Sequence, residues 1–173
     1  MTHLARPGGL ANGITERCER EMLAGGEVER LAGLVGRPYR ISGEVIHGKK
    51  LGRELGFPTA NMRLPDGQSL MAGIYAVRFI DASGQQWDAV ASFGRRPTVT
   101  SDGEPLLESY VFGFEGDLYG QICSVDLVSF IRPELKFRSV EDLVHRMRRD
   151  VLEARRILAR TRSCHAPAMG PAR

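Results

Sequence analysis

The stretch from residue 48 to residue 61, GKKLGRELGFPTAN, holds the residue types that bind a polyphosphate. Its glycines let backbone N–H groups approach an anion closely, and its lysines and arginine neutralise the anion's charge. Thr59 and Asn61 offer a hydroxyl and an amide oxygen, which are hard ligands suited to a Mg²⁺ ion carried on a phosphate. The stretch therefore predicts a polyphosphate loop with Thr59 and Asn61 at the metal. Its candidate phosphate-binding residues are Gly48, Lys50, Gly52, Gly56, Pro58 and Thr59.

A second interpretation of this loop stays open on composition alone, because glycine-rich basic loops also simply join two strands. The stretch lacks the Gly-Lys-Ser/Thr sequence with which a Walker loop opens a helix. It also lacks the glycine spacing of a Rossmann dinucleotide site. A polyphosphate loop here would therefore be of another type.

Glu108 is the candidate proton acceptor. Side chains alternate along a strand, so a strand over residues 107–114 places Glu108 on one face with three aromatic residues, Tyr110, Phe112 and Phe114. A carboxylate on an aromatic face loses water, which raises its pKa and favours general-base catalysis near neutral pH. A solvated glutamate on an exposed face explains the pattern equally well, so the residues alone leave both interpretations open.

Five strand-like segments, rich in β-branched and aromatic residues, must position these groups. They cover residues 39–46, 73–80, 86–93, 106–114 and 121–131, and turn signals separate several of them. The turn at residues 117–120 is predicted to be a plain structural hairpin. No helical pattern lies between the segments, which favours an antiparallel barrel or sandwich over a parallel sheet.

Helical patterns lie before and after the strands. The first runs over residues 15–24, breaks at Gly25 and Gly26, and resumes over 27–35 until Gly36 ends it. Ser139 is the predicted N-cap of a long C-terminal helix. Its apolar residues recur at three- and four-residue steps and form one stripe: Leu143, Met147, Val151, Ala154 and Leu158.

The composition of the 173 residues, 42% apolar and 26% charged, is typical of one globular domain with appendages. No apolar run approaches the roughly 20 residues of a membrane span, and the first residues lack the apolar core of a signal peptide. We therefore expect a cytoplasmic protein without a membrane partner. The three cysteines lie too far apart in the sequence for a metal or disulfide pattern.

The net charge of +3 is unevenly distributed. Residues 146–173 contain eight arginines and two acidic residues, a charge of +6, which leaves −3 on the remainder. In any nucleic-acid complex, this basic segment would have to contact the nucleic acid. A solvated arginine-rich helix face is the simpler explanation, and we expect no nucleic-acid partner.

Several motifs occur in the order found in the riboflavin kinase family. They are Gly43-x-Val45-x-x-Gly48, GRELGFPTAN at 52–61, FGRRPT at 93–98, LE at 107–108, DLYG at 117–120, and IRPE at 131–134 followed by Phe137. Over residues 36–158 the chain resembles riboflavin kinases, notably the kinase half of bacterial bifunctional FAD synthetases. The resemblance implies a mainly β fold, a small antiparallel six-stranded Greek-key barrel with a long C-terminal α-helix and a short N-terminal helical linker. The expected boundaries are a disordered leader at 1–13, a helical linker remnant at 14–36, the barrel with its helix at 37–162, and a disordered tail at 163–173.

The resemblance also implies roles for individual residues. Glu108 matches the glutamate that riboflavin kinases use as general base, and Arg132 and Phe137 lie at the corner that contacts the flavin. The implied reaction is ATP-dependent phosphorylation of riboflavin on its 5′-hydroxyl, giving FMN and ADP, with Mg²⁺ as cofactor. The residues themselves leave open that Arg132 pairs with Glu134 and that Phe137 belongs to the core.

The chain departs from the family pattern in two places. Bacterial members usually carry asparagine at the position of Ser92, and the segment 15–20 lacks the serines that precede the linker in bifunctional enzymes. The adenylyltransferase half is also absent, so we expect FMN without FAD, and a separate FMN adenylyltransferase is a candidate partner. The alternatives are a non-catalytic flavin- or nucleotide-binding sensor and a nucleic-acid-binding barrel. The intact set Thr59, Asn61 and Glu108 favours the kinase.

Overall fold

The computed structural model of the chain describes residues 14–48, 55–64, 69–95 and 105–163. These residues form a closed six-stranded β-barrel, with two short helices before it and one long helix after it. The mainly β architecture expected from the sequence is thereby confirmed. Within these ranges no helix is both long enough and apolar enough to cross a membrane. The predicted leader at 1–13 and all but the first residue of the predicted tail lie outside the described residues.

All neighbouring strands of the barrel are antiparallel and follow the order β1-β2-β5-β4-β3-β6. Strands β3, β4 and β5 form a meander, and β6 returns to lie beside β3, which is the Greek-key arrangement. The strands are β1 (Tyr39–Ile46), β2 (Ala60–Arg63), β3 (Gly73–Ile80), β4 (Gln86–Arg95), β5 (Pro105–Val111) and β6 (Ile122–Pro133).

The sequence located β1 and β3 at their observed bounds, and β4 and β6 to within two residues at each end. Two other predictions were wrong. Strand β5 ends at Val111, not at residue 114, because the chain turns at Gly113, whose φ of +70° suits a residue without Cβ. Strand β2 lies inside the stretch that was predicted to be a loop. Its four residues are too few to show an alternating pattern in the sequence. Asn61 therefore belongs to a strand that the sequence did not reveal.

Alternate side chains of the strands fill the barrel or cover its outer face. The interior cluster includes the fully buried side chains of Tyr75, Val77, Phe79, Leu107 and Val125. A second apolar cluster lies outside the barrel, between its wall and the C-terminal helix, and contains Ala76, Val90, Phe112, Ala154 and Leu158. The barrel therefore has two apolar surfaces, and only one of them is its interior.

Helices α1 (Glu16–Ala24) and α2 (Val28–Val35) pack against the barrel. The apolar side chains that they contribute to the interior cluster are Met22, Leu23, Val28 and Leu31. The carboxylate of Glu29 on α2 accepts hydrogen bonds from the Ser129 hydroxyl and from the Phe130 N–H, the latter at 3.2 Å. As predicted, α2 ends at Gly36, which has a φ of +82°.

Helix α3 (Val140–Ser163) lies along the outside of the barrel. Its predicted cap is confirmed, because the Asp142 N–H donates to the Ser139 hydroxyl oxygen at 3.1 Å. The predicted apolar stripe faces the barrel, with Ala154 and Leu158 fully buried. The residues nearer the N-terminus of the stripe, from 143 to 151, are only half-buried, and this is where a cavity opens.

Arg78 of β3 holds the C-terminal part of α3. Its side chain is 8% exposed and donates from Nη2 to the Leu158 carbonyl oxygen at 2.8 Å and to the Thr161 hydroxyl at 3.1 Å. The same guanidinium is paired with Asp88 of β4. One buried arginine thus links two neighbouring strands to the last turns of the helix.

Candidate active site

A cavity of about 530 Å³ lies between the outer face of the barrel and the N-terminal half of α3. Its floor is formed by β3, β4 and β5, and its opposite wall by α3 and by the segment 134–137 that leads into the helix. The apolar side chains around it include Ile74, Val90, Tyr110, Phe137, Leu143, Met147 and Val151. A cavity of this size and lining is typical of a small-molecule site.

A row of directly paired residues crosses the floor of the cavity. Glu108 of β5 pairs with Asn61 of β2 on one side and with Ser92 of β4 on the other. The row continues through Ile74 of β3 to Arg132 of β6. Directly opposite residues of antiparallel strands project on the same face, so the four polar side chains of this row share the outer face of the barrel.

Glu108 is half-buried and lines the cavity. Tyr110 lines the same cavity and Phe112 belongs to the cluster under α3, so the predicted common face is confirmed for these two residues. It is wrong for Phe114, which lies beyond the end of β5 and packs on Trp87 with ring centroids 5.3 Å apart. That Glu108 acts as a base stays a prediction.

Asn61 lies next to Glu108 in the row and is only 5% exposed. Its Nδ2 donates to the Thr59 carbonyl oxygen at 3.2 Å, whereas its Oδ1 accepts no hydrogen bond from the described residues. A buried amide oxygen without a partner is costly. It fits the ligand set of a Mg²⁺ ion, since that ion prefers oxygen ligands.

Gly48 lies directly against Asn61. A Cβ at position 48 would stand 2.4 Å from the Asn61 Nδ2, which is closer than any real carbon–nitrogen contact. A side chain at residue 48 would therefore require the Asn61 amide or the backbone at residue 48 to shift. Gly56, with a φ of +85°, and the exposed Pro58 are the other described members of the predicted phosphate loop. Lys50 and Gly52 lie outside the described residues.

A second cavity, of about 570 Å³, lies on the other side of Thr59. Pro58 and Thr59 line it together with the turn that contains Asp117, Leu118 and Tyr119. Thr59 also lines the first cavity, so the two spaces meet at this residue. The turn was predicted to be a plain hairpin, and the DLYG sequence was the signal that could have placed it at a site.

Phe137 and Arg132, the two predicted flavin contacts, both line the first cavity, but Arg132 is already paired. That they contact a flavin stays a prediction. Its guanidinium contacts the Asp150 carboxylate of α3 with Nη2–Oδ2 and Nε–Oδ1 distances of 2.5 and 2.9 Å. The alternative that Arg132 pairs with Glu134 was wrong. The Glu134 carboxylate instead lies against Gly94, where it would be 2.3 Å from an added Cβ.

Comparison with known proteins agrees with this arrangement. A family model described as Flavokinase: Riboflavin kinase matches residues 35–158. A bifunctional riboflavin kinase/FMN adenylyltransferase of Haemophilus influenzae is 42% identical over 145 residues, which cover 84% of this chain and 47% of that relative. The chain therefore spans about half the length of the curated relatives it matches.

Two solved structures share the fold. A protein of Streptococcus pneumoniae described as a macrolide-efflux protein has a TM-score of 0.75 at 33% identity, covering 82% of this chain and 46% of that one. Riboflavin kinase of Trypanosoma brucei has a TM-score of 0.52 at 23% identity, covering 79% of this chain and 92% of that one. On the family match and the identity to the bacterial relatives, the chain belongs to the riboflavin kinase family.

Proposed function

We propose that this protein transfers the γ-phosphoryl group of ATP to the 5′-hydroxyl of riboflavin, giving FMN and ADP. The observation that carries the proposal is the position of Glu108. It lies in the floor of a cavity of about 530 Å³, beside a buried asparagine whose Oδ1 has no hydrogen-bond partner among the described residues. A carboxylate beside an apolar cavity, with an amide oxygen on the neighbouring strand, supports this proposal.

The first cavity is the proposed flavin site. An isoalloxazine ring is flat and largely apolar, which suits the aromatic and aliphatic side chains of Tyr110, Phe137 and Met147. Arg132 borders the same space, but its charge is balanced by Asp150. We therefore assign Arg132 first to holding α3 against the barrel and only through α3 to shaping the flavin site.

The second cavity is the proposed nucleotide site. It meets the first cavity at Thr59, which is where a phosphate chain would have to pass from one to the other. His47 stacks on Tyr119 at its edge, with ring centroids 3.8 Å apart. Thr59 and Asn61 would hold Mg²⁺, which when bound neutralises charge on the nucleotide phosphates.

The reaction needs one proton acceptor and accurate placement of two oxygens. The 5′-oxygen of riboflavin forms a bond to the γ-phosphorus as the bond to the bridging β,γ-oxygen breaks and ADP leaves. Glu108 accepts the proton of the 5′-hydroxyl and returns it to solvent after the transfer. Phosphoryl transfer needs little covalent help, so the rate depends mainly on positioning and on charge neutralisation.

The direct test is to incubate the purified chain with riboflavin, ATP and Mg²⁺ and to separate the flavins by chromatography. FMN is the expected product. Absence of FMN from a folded protein that binds riboflavin would contradict the proposal and favour a flavin-binding protein without catalysis. FAD among the products would require a site for adenylyl transfer in addition to the two cavities.

Glu108→Gln tests the proposed base. The amide keeps the shape of the side chain but cannot accept the proton, so kcat should fall on the order of 10²- to 10⁴-fold. The dissociation constant of riboflavin should change by less than about threefold, because the glutamine amide still forms a hydrogen bond with the substrate hydroxyl. Steady-state turnover assays measure kcat, and flavin fluorescence titration measures the dissociation constant of riboflavin.

Glu44→Gln is the matched control, since Glu44 is an exposed glutamate on β1 outside the cavity. It should leave both kcat and riboflavin binding unchanged. Full turnover by the Glu108→Gln variant would show that another group takes the proton.

A further inference from the structure

Ser92 is a polar residue on the floor of the cavity. The proposed mechanism assigns it no role. It lies on β4, directly opposite Glu108 of β5 on one side and Ile74 of β3 on the other. Its side chain is half-buried and lines the cavity. Within the described part of the chain its hydroxyl makes no hydrogen bond, so it is available to a bound molecule.

The order of residues in the row gives the direction in which a substrate must lie. Asn61 stands on one side of Glu108 and Ser92 on the other. If the phosphate donor approaches from the side of Asn61 and Thr59, the rest of the acceptor molecule has to leave Glu108 on the side of Ser92. Neighbouring strands are about 4.8 Å apart, so Ser92 meets the acceptor a few carbons away from the reacting oxygen.

The chemistry of the row changes after Ser92. The next member is Ile74, followed by Arg132 with its charge satisfied by Asp150. The apolar ring of the acceptor would therefore lie over Ile74, and the hydroxylated carbon chain would lie over Ser92. A serine hydroxyl both donates and accepts hydrogen bonds, which suits a hydroxyl partner.

We propose that Ser92 is a specificity-determining residue that hydrogen-bonds an inner hydroxyl of the acceptor's polyol chain. The proposal rests on the proposed function, because it takes the direction of the substrate from the positions of the base and the phosphate donor. Ser92 thereby distinguishes a hydroxylated chain from a chain that lacks a hydroxyl at that carbon. Glu108 takes the proton, and Ser92 holds the chain so that the terminal oxygen meets Glu108.

The test is a double comparison of enzyme and substrate. Wild type and Ser92→Ala are assayed with riboflavin and with three analogues that lack the 2′-, 3′- or 4′-hydroxyl. With riboflavin, Ser92→Ala should lower kcat/KM about 3- to 10-fold, the value expected for one hydrogen bond of about 1 kcal/mol. With the analogue that lacks the partner hydroxyl, the same substitution should change kcat/KM by less than about twofold, because no bond remains to be lost.

Two further variants separate this role from a general effect on the fold. Ser92→Thr keeps the hydroxyl and should retain most of the kcat/KM with riboflavin. Ser42→Ala removes a half-buried strand hydroxyl that bonds Ser124 at 2.8 Å on another part of the barrel, and it should lower kcat/KM equally little with all four substrates. Equal losses by Ser92→Ala with all four substrates, or no loss with riboflavin, would overturn the proposal.

Fluorescence titration of the same flavins, without ATP, gives a readout that does not depend on turnover. Ser92→Ala should weaken binding of riboflavin more than binding of one analogue. A wild-type enzyme that makes no FMN refutes the proposed function. A wild-type enzyme that makes FMN, with an identical effect of Ser92→Ala on all substrates, refutes only the role of Ser92.

Discussion

The contact between Gly48 and Asn61 is a tight constraint on a single residue of the candidate site. The asparagine is buried, and its amide lies where a side chain of residue 48 would begin. The predicted loop and the strand that follows it are thereby fixed to each other at one point. The Asn61 Oδ1, which has no hydrogen-bond partner among the described residues, is the proposed metal ligand.

Gly48→Ala should therefore displace Asn61 and impair use of the nucleotide. The added methyl carbon would stand 2.4 Å from Nδ2, so either the loop or the asparagine has to move. A displacement of about 1 Å at a catalytic group can cost on the order of 10²-fold in rate, and we expect a loss of this size in kcat/KM for ATP. Steady-state kinetics with varied ATP and Mg²⁺ measure it.

Gly33→Ala is the control for this substitution. Gly33 lies on α2, and an added Cβ meets no atom within 4 Å. Alanine should leave the kinetics unchanged and stabilise the helix by about 0.5–1 kcal/mol. Wild-type kinetics of Gly48→Ala would show that the position of Asn61 does not matter for catalysis.

Among the elements, α3 determines the shape of the proposed flavin site, because its N-terminal half is the wall of the cavity. Two arginines of the barrel, Arg78 and Arg132, hold it. Arg78 bonds the turn around Leu158 and Thr161, and Arg132 bonds Asp150. Arg146 of α3 adds a second cation at Asp150, with Nε and Oδ1 3.2 Å apart.

Asp150→Ala should destabilise the protein strongly. The substitution leaves the Arg132 guanidinium, whose side chain is 10% exposed, without its buried partner, and such a loss costs about 3–5 kcal/mol. Chemical denaturation measures the free energy of unfolding. Riboflavin binding should weaken as well, because α3 then loses the ion pair that holds it beside the cavity.

Glu153→Ala on the same helix is the matched control. Glu153 pairs with Arg156 across one turn at the surface, and exposed pairs of this kind contribute about 1 kcal/mol or less. If both variants lost the same small amount, the pair between Arg132 and Asp150 would not be what holds α3.

The elements also show how far sequence reasoning reaches. A content rich in β-branched and aromatic residues identified β1 and β3, each of which is eight residues long. It missed β2, whose four residues lie inside a motif rich in turn-forming residues. The partner of Arg132 was not predictable, because Asp150 is 18 residues away on a helix whose rotation against the barrel depends on packing.

The sequence indicated candidate residues of the site but not the cavities that these residues line. The types of Thr59, Asn61 and Glu108 suggested metal and base chemistry. Nothing local in the sequence shows that two cavities meet at Thr59, because each is bounded by segments that lie far apart in the chain. The roles of these residues stay predictions until the variants are measured.

For the whole molecule, the two N-terminal helices contribute more to stability than a simple linker would. Leu31 and Val28 are buried with the interior cluster of the barrel, and Glu29 bonds Ser129 and Phe130 of β6. Burying an apolar side chain of this size contributes about 1.5–3 kcal/mol. We therefore expect the segment 14–36 to share the cooperative unfolding of the barrel.

Leu31→Ala and Leu34→Ala test this expectation on one helix. Leu31 is 1% exposed, whereas Leu34 is 43% exposed. Leu31→Ala should lower the free energy of unfolding by about 2–5 kcal/mol, and Leu34→Ala should change it by less than about 1 kcal/mol. Urea denaturation followed by tryptophan fluorescence of Trp87 in the barrel reports both values. Equal, small effects would mean that the barrel folds without the helices.

The row of paired residues across the barrel has a consequence for how this protein can change over evolution. Asn61, Glu108 and Ser92 share a face only in the observed register. Losing or gaining one residue within β5 would rotate Glu108 into the barrel and bring Leu107 or Ser109 out. Changes of chain length in descendants of this sequence should therefore accumulate in the turns, while each strand on the cavity floor keeps its residue count even where its side chains are replaced.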